Sequence, residues 1–189
     1  MITESFNRVV CETLAPYFDP NDESKVLVFC ANDNHADMEI SLLKQELQSA
    51  WGEALWPSHS VVKITSKADK VKGLIRRYKN ERQPKIAVTV DLLTTGIDVP
   101  KISHLVFLRR VKSRILYEQM LGRATRLCDE INKDVFHIYD AVDLYAALES
   151  VSSMKPVAAQ VKTDFEVLVD ALVHPEAHKK PGSKDDETY

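Results

Sequence analysis

The sequence predicts an α/β domain with a mainly parallel sheet and helices on both faces. Two observations carry this. Short, nearly continuous apolar runs recur along the chain, as in strands buried on both sides. Between them lie stretches with apolar residues at intervals of three and four, the mark of amphipathic helices. In such sheets ligands gather beyond the carboxyl ends of the strands, so the segments following strands are where chemistry is sought.

Thr3 to Phe18 sets Phe6, Val9, Val10, Leu14 and Tyr17 at helical spacing, with Pro16 weakening the last turn. Asp19-Pro20-Asn21-Asp22 reads as a loop, and Lys25 to Cys30 as the first strand. Asn32-Asp33-Asn34 supplies cap residues for a helix whose face is Ala36, Ile40, Leu43, Leu47 and Trp51. Ser60 to Thr65 is the second strand. Asp69 then caps a helix facing inward through Val71, Leu74, Ile75 and Tyr78. Lys85 to Val90, His104 to Leu108 and Asp134 to Tyr139 are three more strands, and Ser113 to Gly122 and Ala141 to Leu148 are helices. Thr163 to Val173 can form one more, and His174 onward is polar and Pro-interrupted, as in a disordered tail. The expected division is 1–24 as N-terminal helix and linker, 25–150 as the main domain, and 151–189 as a linker or the start of a following domain.

The 189 residues carry 25 Lys and Arg against 28 Asp and Glu, a formal net charge of −3. Nucleic-acid binding by bulk positive charge alone is thereby disfavoured, though a local basic face is not. Three scattered cysteines, Cys11, Cys30 and Cys128, give neither a disulfide framework nor a zinc pattern. The six histidines have no metal-ligand spacing, and Trp51 and Trp56 read as packing residues. No transmembrane run or signal-peptide pattern exists, which points to a cytoplasmic protein with no membrane partner.

Two segments carry chemistry. Asp91-Leu92-Leu93-Thr94-Thr95-Gly96-Ile97-Asp98-Val99-Pro100 follows the third strand. Its glycine permits a tight turn or a close approach to a ligand. Asp91 and Asp98 are expected at the sheet's carboxyl edge, where Asp98 suits a ribose hydroxyl and Thr94 and Thr95 suit phosphates. Alone, the segment reads more readily as a plain strand-to-loop turn in which Asp91 caps the following helical turn. Tyr117 to Arg126 is the second. If it is helical throughout, Gln119, Arg123 and Arg126 share one face while Tyr117, Met120, Leu121 and Ala124 anchor the other. Guanidinium forks suit phosphate oxygens, and the alternative is a solvated basic helix face. Lys67, Lys70, Lys72, Arg76, Arg77 and Lys79 read mainly as such a solvated face. Ser66 and Lys67, just past a strand, are the DNA candidates. Arg109, Arg110, Lys112 and Arg114 form a second basic cluster that suits DNA or a partner domain.

Taken together and in order, the two segments resemble motifs V and VI of superfamily 2 helicases. Gln119, Gly122, Arg123 and Arg126 match Gln-x-x-Gly-Arg-x-x-Arg, and Gly96 and Asp98 match Gly-x-Asp. Lys25 to Cys30 fits motif IV. Val90-Asp91 stands where many members have Thr-Asp, and Thr95 where they have Arg, so contacts of those side chains do not carry over. The stretches Ala87 to Pro100, Leu105 to Val111 and Arg114 to Arg126 are similar to the restriction subunits of type I restriction enzymes. The similarity extends from about Phe6 to Leu148.

That resemblance implies a RecA-like domain of the P-loop NTPase type, without the P-loop. It implies the second motor domain of an ATP-dependent double-stranded DNA translocase, cut from a longer polypeptide. Gln119, Arg123 and Arg126 would be catalytic. Gly96, Asp98, Gly122, Arg123 and Arg126 would bind the nucleotide. The DNA candidates do not come from the resemblance: Ser66 and Lys67 are taken from their place after a strand, and Thr94 and Thr95 as substitutes for the contacts that do not carry over. No Gly-x-x-x-x-Gly-Lys-Ser/Thr loop or Asp-Glu box is present in the sequence. Mg²⁺ would therefore be held mainly by a first motor domain of the same polypeptide, alongside a nuclease domain. Methyltransferase and specificity subunits are the further partners implied, and the fragment alone is expected to be inactive. The competing readings are a domain of another superfamily 2 DNA or RNA helicase and a non-catalytic α/β docking module.

Overall fold

The computed structural model describes residues 3–65, 71–90, 98–111 and 113–143. The chain divides into two compact units, Met1–Ser153 and Met154–Tyr189, and the second lies outside the described residues. So do the expected helices over Ala141 to Leu148, beyond its first three residues, and over Thr163 to Val173.

Among the described residues, five strands form one sheet: β1 (Lys25–Phe29), β2 (Val61–Lys63), β3 (Ile86–Thr89), β4 (Ile102–Phe107) and β5 (His137–Asp140). Their order is β2-β3-β1-β4-β5, and every pairing is parallel. The central register sets Val28 against Val88 on one side and Val106 on the other. The three inner strands are fully buried, whereas β5, on an edge, is exposed at His137 and Ile138. The apolar run at Asp134 to Phe136 stays outside β5, because its parallel pairing with β4 begins only at His137. β4 starts two residues earlier than its apolar core suggested, because Ile102 and Ser103 are buried with it.

Among the described residues, four α-helices accompany the sheet: α1 (Glu4–Leu14), α2 (Asp33–Trp51), α3 (Val71–Asn80) and α4 (Arg114–Leu121). The Thr3 hydroxyl caps α1 through Phe6 N–H, and the Asn32 side chain caps α2 through His35 N–H. The first helix is shorter than its apolar period. It changes at Ala15 to a 3-10 turn containing Pro16, and Tyr17 lies exposed. Its buried face is also rotated: Asn7 and Cys11 lie inward beside Val10 and Leu14.

Period-two alternation splits the strand side chains between two layers. Leu27, Phe29, Ala87, Leu105 and Phe107 pack with Tyr78 of α3 and with Tyr117, Met120, Leu121 and Ala124 in and after α4. Phe29 and Phe107 stack at 5.0 Å, and Phe107 meets Tyr117 at 5.6 Å. The Tyr78 hydroxyl is buried and donates to Val26 O at 2.7 Å. Val26, Val28, Val88 and Val106 alternate with that set and are buried in turn. On the α1–α2 side, Cys11 donates to the Glu39 carboxylate at 2.9 Å, and His35 Nε2 meets Asn7 Oδ1 at 3.0 Å. Trp56 is buried and Trp51 donates to Ala15 O, so both pack, as expected.

Candidate functional site

The site begins with α4. The Ser113 hydroxyl caps it by accepting from Leu116 N–H, and Tyr117, Met120 and Leu121 press its inner face into the core. The helix then stops at Leu121. Gly122 N–H donates to Glu118 O at 2.8 Å, and a Cβ placed on Gly122 would stand only 3.3 Å from that oxygen. Glycine therefore lets the chain tighten here. Arg123 N–H reaches Met120 O, Ala124 N–H reaches Leu121 O at 2.9 Å, and the Thr125 hydroxyl returns to Gly122 O. These are successive tight turns, not helix. The expectation that Gln119, Arg123 and Arg126 share one helical face is thus corrected, because the helix ends before both arginines. Ala124 anchors the core side as expected, being fully buried.

Gln119 and Arg126 are exposed and Arg123 is half-buried. Arg126 finds a specific partner: its Nη1 lies 2.8 Å from Asp98 Oδ1. The other Asp98 oxygen is 3.7 Å from Lys79 Nζ, at the end of α3. Both members of the Arg126–Asp98 pair keep about half their surface in water, at 61% and 46% exposure. The two motifs recognised in the sequence therefore meet in space through one exposed carboxylate and one exposed guanidinium.

Asp98 was expected at the carboxyl edge of the sheet. It stands instead where the chain enters β4, four residues before that strand begins at Ile102. Val99 is buried there and its carbonyl accepts Ile102 N–H. Ser66, Lys67, Asp91, Thr94, Thr95 and Gly96 lie outside the described residues. Lys72, Arg76, Arg77 and Lys79 lie exposed along α3, in keeping with a solvated face, and Lys79 alone of them joins Asp98. Of the second basic cluster, Arg109 donates to Val90 O at 2.7 Å and so fastens the end of β3, while Arg114 pairs with Glu118 within α4.

One residue at the site carried no sequence signal. Lys133 is buried, and its ammonium donates to Pro100 O at 2.9 Å and to Ala124 O and Arg126 O at 2.8 Å each. A lone lysine in a polar stretch has no period or motif to mark it. The chemistry of the assembled set is clear in kind. Forked, permanently charged donors and an amide on an exposed rim suit a polyphosphate, and a carboxylate beside them suits a sugar hydroxyl. Among the described residues, no three His, Cys, Asp or Glu side chains stand together as a metal site.

Comparison with known proteins identifies the family. Residues 6–128 match the family described as helicase conserved C-terminal domain. The chain is 46% identical over 183 residues to the EcoKI endonuclease subunit of a type I restriction enzyme from Escherichia coli K12, covering 95% of this chain and 16% of that protein. Among solved structures, a fragment of a putative HsdR subunit of a type I restriction enzyme from Vibrio vulnificus superposes with a TM-score of 0.66 at 29% identity, covering 76% of this chain and 28% of that one. The C-terminal domain of yeast Dbp5 superposes with a TM-score of 0.58 at 17% identity over 90% of this chain and 92% of its own, a likeness of fold alone. The fold is the RecA-like one that the resemblance implied. The chain belongs to the helicase conserved C-terminal domain family, and within it the similarity runs to the endonuclease subunits of type I restriction enzymes.

Proposed function

We propose that this is the second motor domain of an ATP-dependent double-stranded DNA translocase within a type I restriction endonuclease. It supplies motif V and VI residues to an ATP site shared with a first motor domain of the same polypeptide. The observation that carries the reading is the 2.8 Å Arg126–Asp98 contact, which joins the two motifs on an open surface.

The residues present fit a nucleotide. Arg123 and Arg126 would bind the terminal phosphates and offset charge as it develops there, Gln119 would order the phosphate or the attacking water, and Asp98 would hold the ribose. ATP supplies the cleavable phosphoanhydride, and Mg²⁺, held mainly by the first motor domain, would neutralise its oxygens. An exposed ion pair is worth about 0–1 kcal/mol. Arg126 can therefore leave Asp98 for a polyphosphate at little cost, and Lys79 remains beside the carboxylate. Closing the two motor domains would bring the arginines to the phosphates, and reopening them would step the complex along the duplex.

Ser66, Lys67, Thr94 and Thr95 are the proposed DNA contacts. The nuclease domain belongs to the same polypeptide, and methyltransferase and specificity subunits complete the assembly. No helix among the described residues is long and apolar enough to cross a membrane, which suits the proposed cytoplasmic site of action.

The test is DNA-stimulated ATP turnover by the full-length subunit in its complex. Arg123→Ala and Arg126→Ala should each lower turnover by on the order of 10³-fold, as loss of an arginine at a transferring phosphoryl group does elsewhere. Wild-type turnover in both variants would defeat the assignment. The isolated domain should not hydrolyse ATP above background, and addition of the separate first motor domain should restore some turnover. A docking module would show no such response.

A further inference from the structure

Among the described residues three lysines are buried, and each spends its ammonium on three backbone carbonyls. Lys25 holds Glu81 O, Arg82 O and Pro84 O at 2.7, 3.0 and 2.8 Å. Lys85 holds Asp19 O, Pro20 O and Asp22 O. Each of these two closes a single loop at the amino end of the sheet. Lys133 is different, because its three carbonyls come from two separate segments that border the candidate site.

The geometry is specific. Pro100 lies two residues beyond Asp98, and Ala124 and Arg126 end motif VI. Because α4 stops at Leu121, helical geometry does not set the direction of Arg126. The lysine itself is firmly placed. Lys133 N–H donates to Cys128 O at 3.0 Å and Cys128 N–H to Lys133 O at 3.3 Å, closing a small loop around a 3-10 turn at Asp129–Ile131. Asn132 completes the loop in a left-handed conformation, φ 50°. A second tie runs parallel, from Lys101 to Glu130 at 2.6 Å.

We propose that Lys133 is a positioning residue for nucleotide turnover: its ammonium clamps the segment leaving motif V to the segment ending motif VI, and so fixes Asp98 and Arg126 relative to one another. Three acceptors around a tetrahedral ammonium leave it no donor to spare, so it acts through the backbone and touches no ligand. The proposal rests on the motor reading above.

The experiment uses the full-length subunit in its complex, with ATP and DNA. Arg123→Ala and Arg126→Ala come first and test the motor reading: if both are silent, that reading fails, and if Arg126→Ala alone is silent, the Lys133 proposal fails. If Arg126→Ala is damaging, Lys133→Met, which keeps the length of the side chain and removes the charge, should lower kcat by on the order of 10- to 100-fold, the cost of a small misplacement. Adding Arg126→Ala to Lys133→Met should then cost far less than Arg126→Ala costs in the wild type, because a misplaced guanidinium has less left to lose. Lys85→Met, the equivalent clamp on the Asp19–Asp22 loop away from the site, should lower the thermal midpoint and leave kcat unchanged. Wild-type kcat in Lys133→Met, independent multiplication of the two defects, or an equal kcat loss in Lys85→Met would each overturn the proposal while leaving the motor reading intact. Should Lys133→Met not fold, Lys133→Arg decides. A planar fork cannot meet three carbonyls arranged around a tetrahedral ammonium, so its kcat should fall although the charge is kept. A folded Lys133→Arg subunit with wild-type kcat would overturn the proposal.

Discussion

The two helical layers treat polar residues in opposite ways. Between α1 and α2, Asn7, Cys11, His35 and Glu39 are sealed from water and bonded to one another or to backbone. On the side of α3 and α4, Lys79 and Arg126 meet Asp98 in ion pairs open to water, and Gln119 lies exposed. Sealed polar groups must be satisfied internally and are costly to disturb. Open ones contribute little to stability and stay available to a ligand. The contrast assigns stability to the first set and turnover to the second.

The largest effect should separate these roles outright. Arg126→Ala, expected to reduce turnover by on the order of 10³-fold, should leave the thermal midpoint of the subunit within about a degree, since a surface substitution away from packed features is nearly neutral. Asn7→Ala should do the reverse. It removes the acceptor for His35 Nε2 and the donor to Thr3 O at 2.8 Å, at a cost of about 1–3 kcal/mol. ATP turnover of the folded fraction should be unchanged. A loss of turnover in folded Asn7→Ala would erase the distinction.

Smaller effects follow from two buried titrating groups. Burial raises the Glu39 carboxyl to about 7 against an ordinary 4.5. The folded state therefore keeps a proton that the unfolded chain releases, and stability falls as pH rises from about 4.5 to 7. Burial, with His137 stacked at 5.1 Å, lowers His104 to about 4. There the unfolded chain binds the extra proton, so stability is full above about 6.5 and is lost as pH falls towards 4. Each can be worth about 3 kcal/mol at most, and burial pushes His35 in the same direction as His104. The Glu39 and His104 slopes oppose one another between about 4.5 and 6.5 and largely cancel. Urea unfolding across pH 4–8 should show a steeper acid loss in Glu39→Gln and a shallower one in His104→Gln. Parallel curves for wild type and both variants would show that neither group titrates in this window.

Legibility from sequence divides along the same line. The strands were readable because β1, β3 and β4 are buried on both faces and so nearly continuously apolar, and Val71, Leu74, Ile75 and Tyr78 do face the core together. Gln119, Gly122, Arg123, Arg126 and Asp98 were readable as a spaced pattern. What periodicity could not supply was the place where α4 stops. The end depends on where Gly122 lets the chain tighten, and a helical wheel carries on through Arg126 regardless. The inward turn of Asn7 and Cys11 was hidden because their partners, His35 and Glu39, belong to another helix. Lys133 was hidden for a different reason: its acceptors are backbone oxygens, which no side-chain pattern records.

The smallest expected effect sharpens the comparison most closely, because it concerns the ion pair itself. Asp98 meets both Arg126 and Lys79, yet both contacts are open to water. Coulomb attraction there is weakened by solvent and salt, and ordering two long side chains opposes it. Asp98→Asn should therefore change the unfolding free energy by less than about 1 kcal/mol, and less still at high salt. If Asp98 holds the ribose, the same variant should raise the KM for ATP while leaving the unfolding midpoint almost where it was. A large stability loss would mean that the pair is a structural clamp like the sealed set between α1 and α2. The availability of Arg126 to a phosphate would then need a force stronger than the exchange of one exposed partner for another.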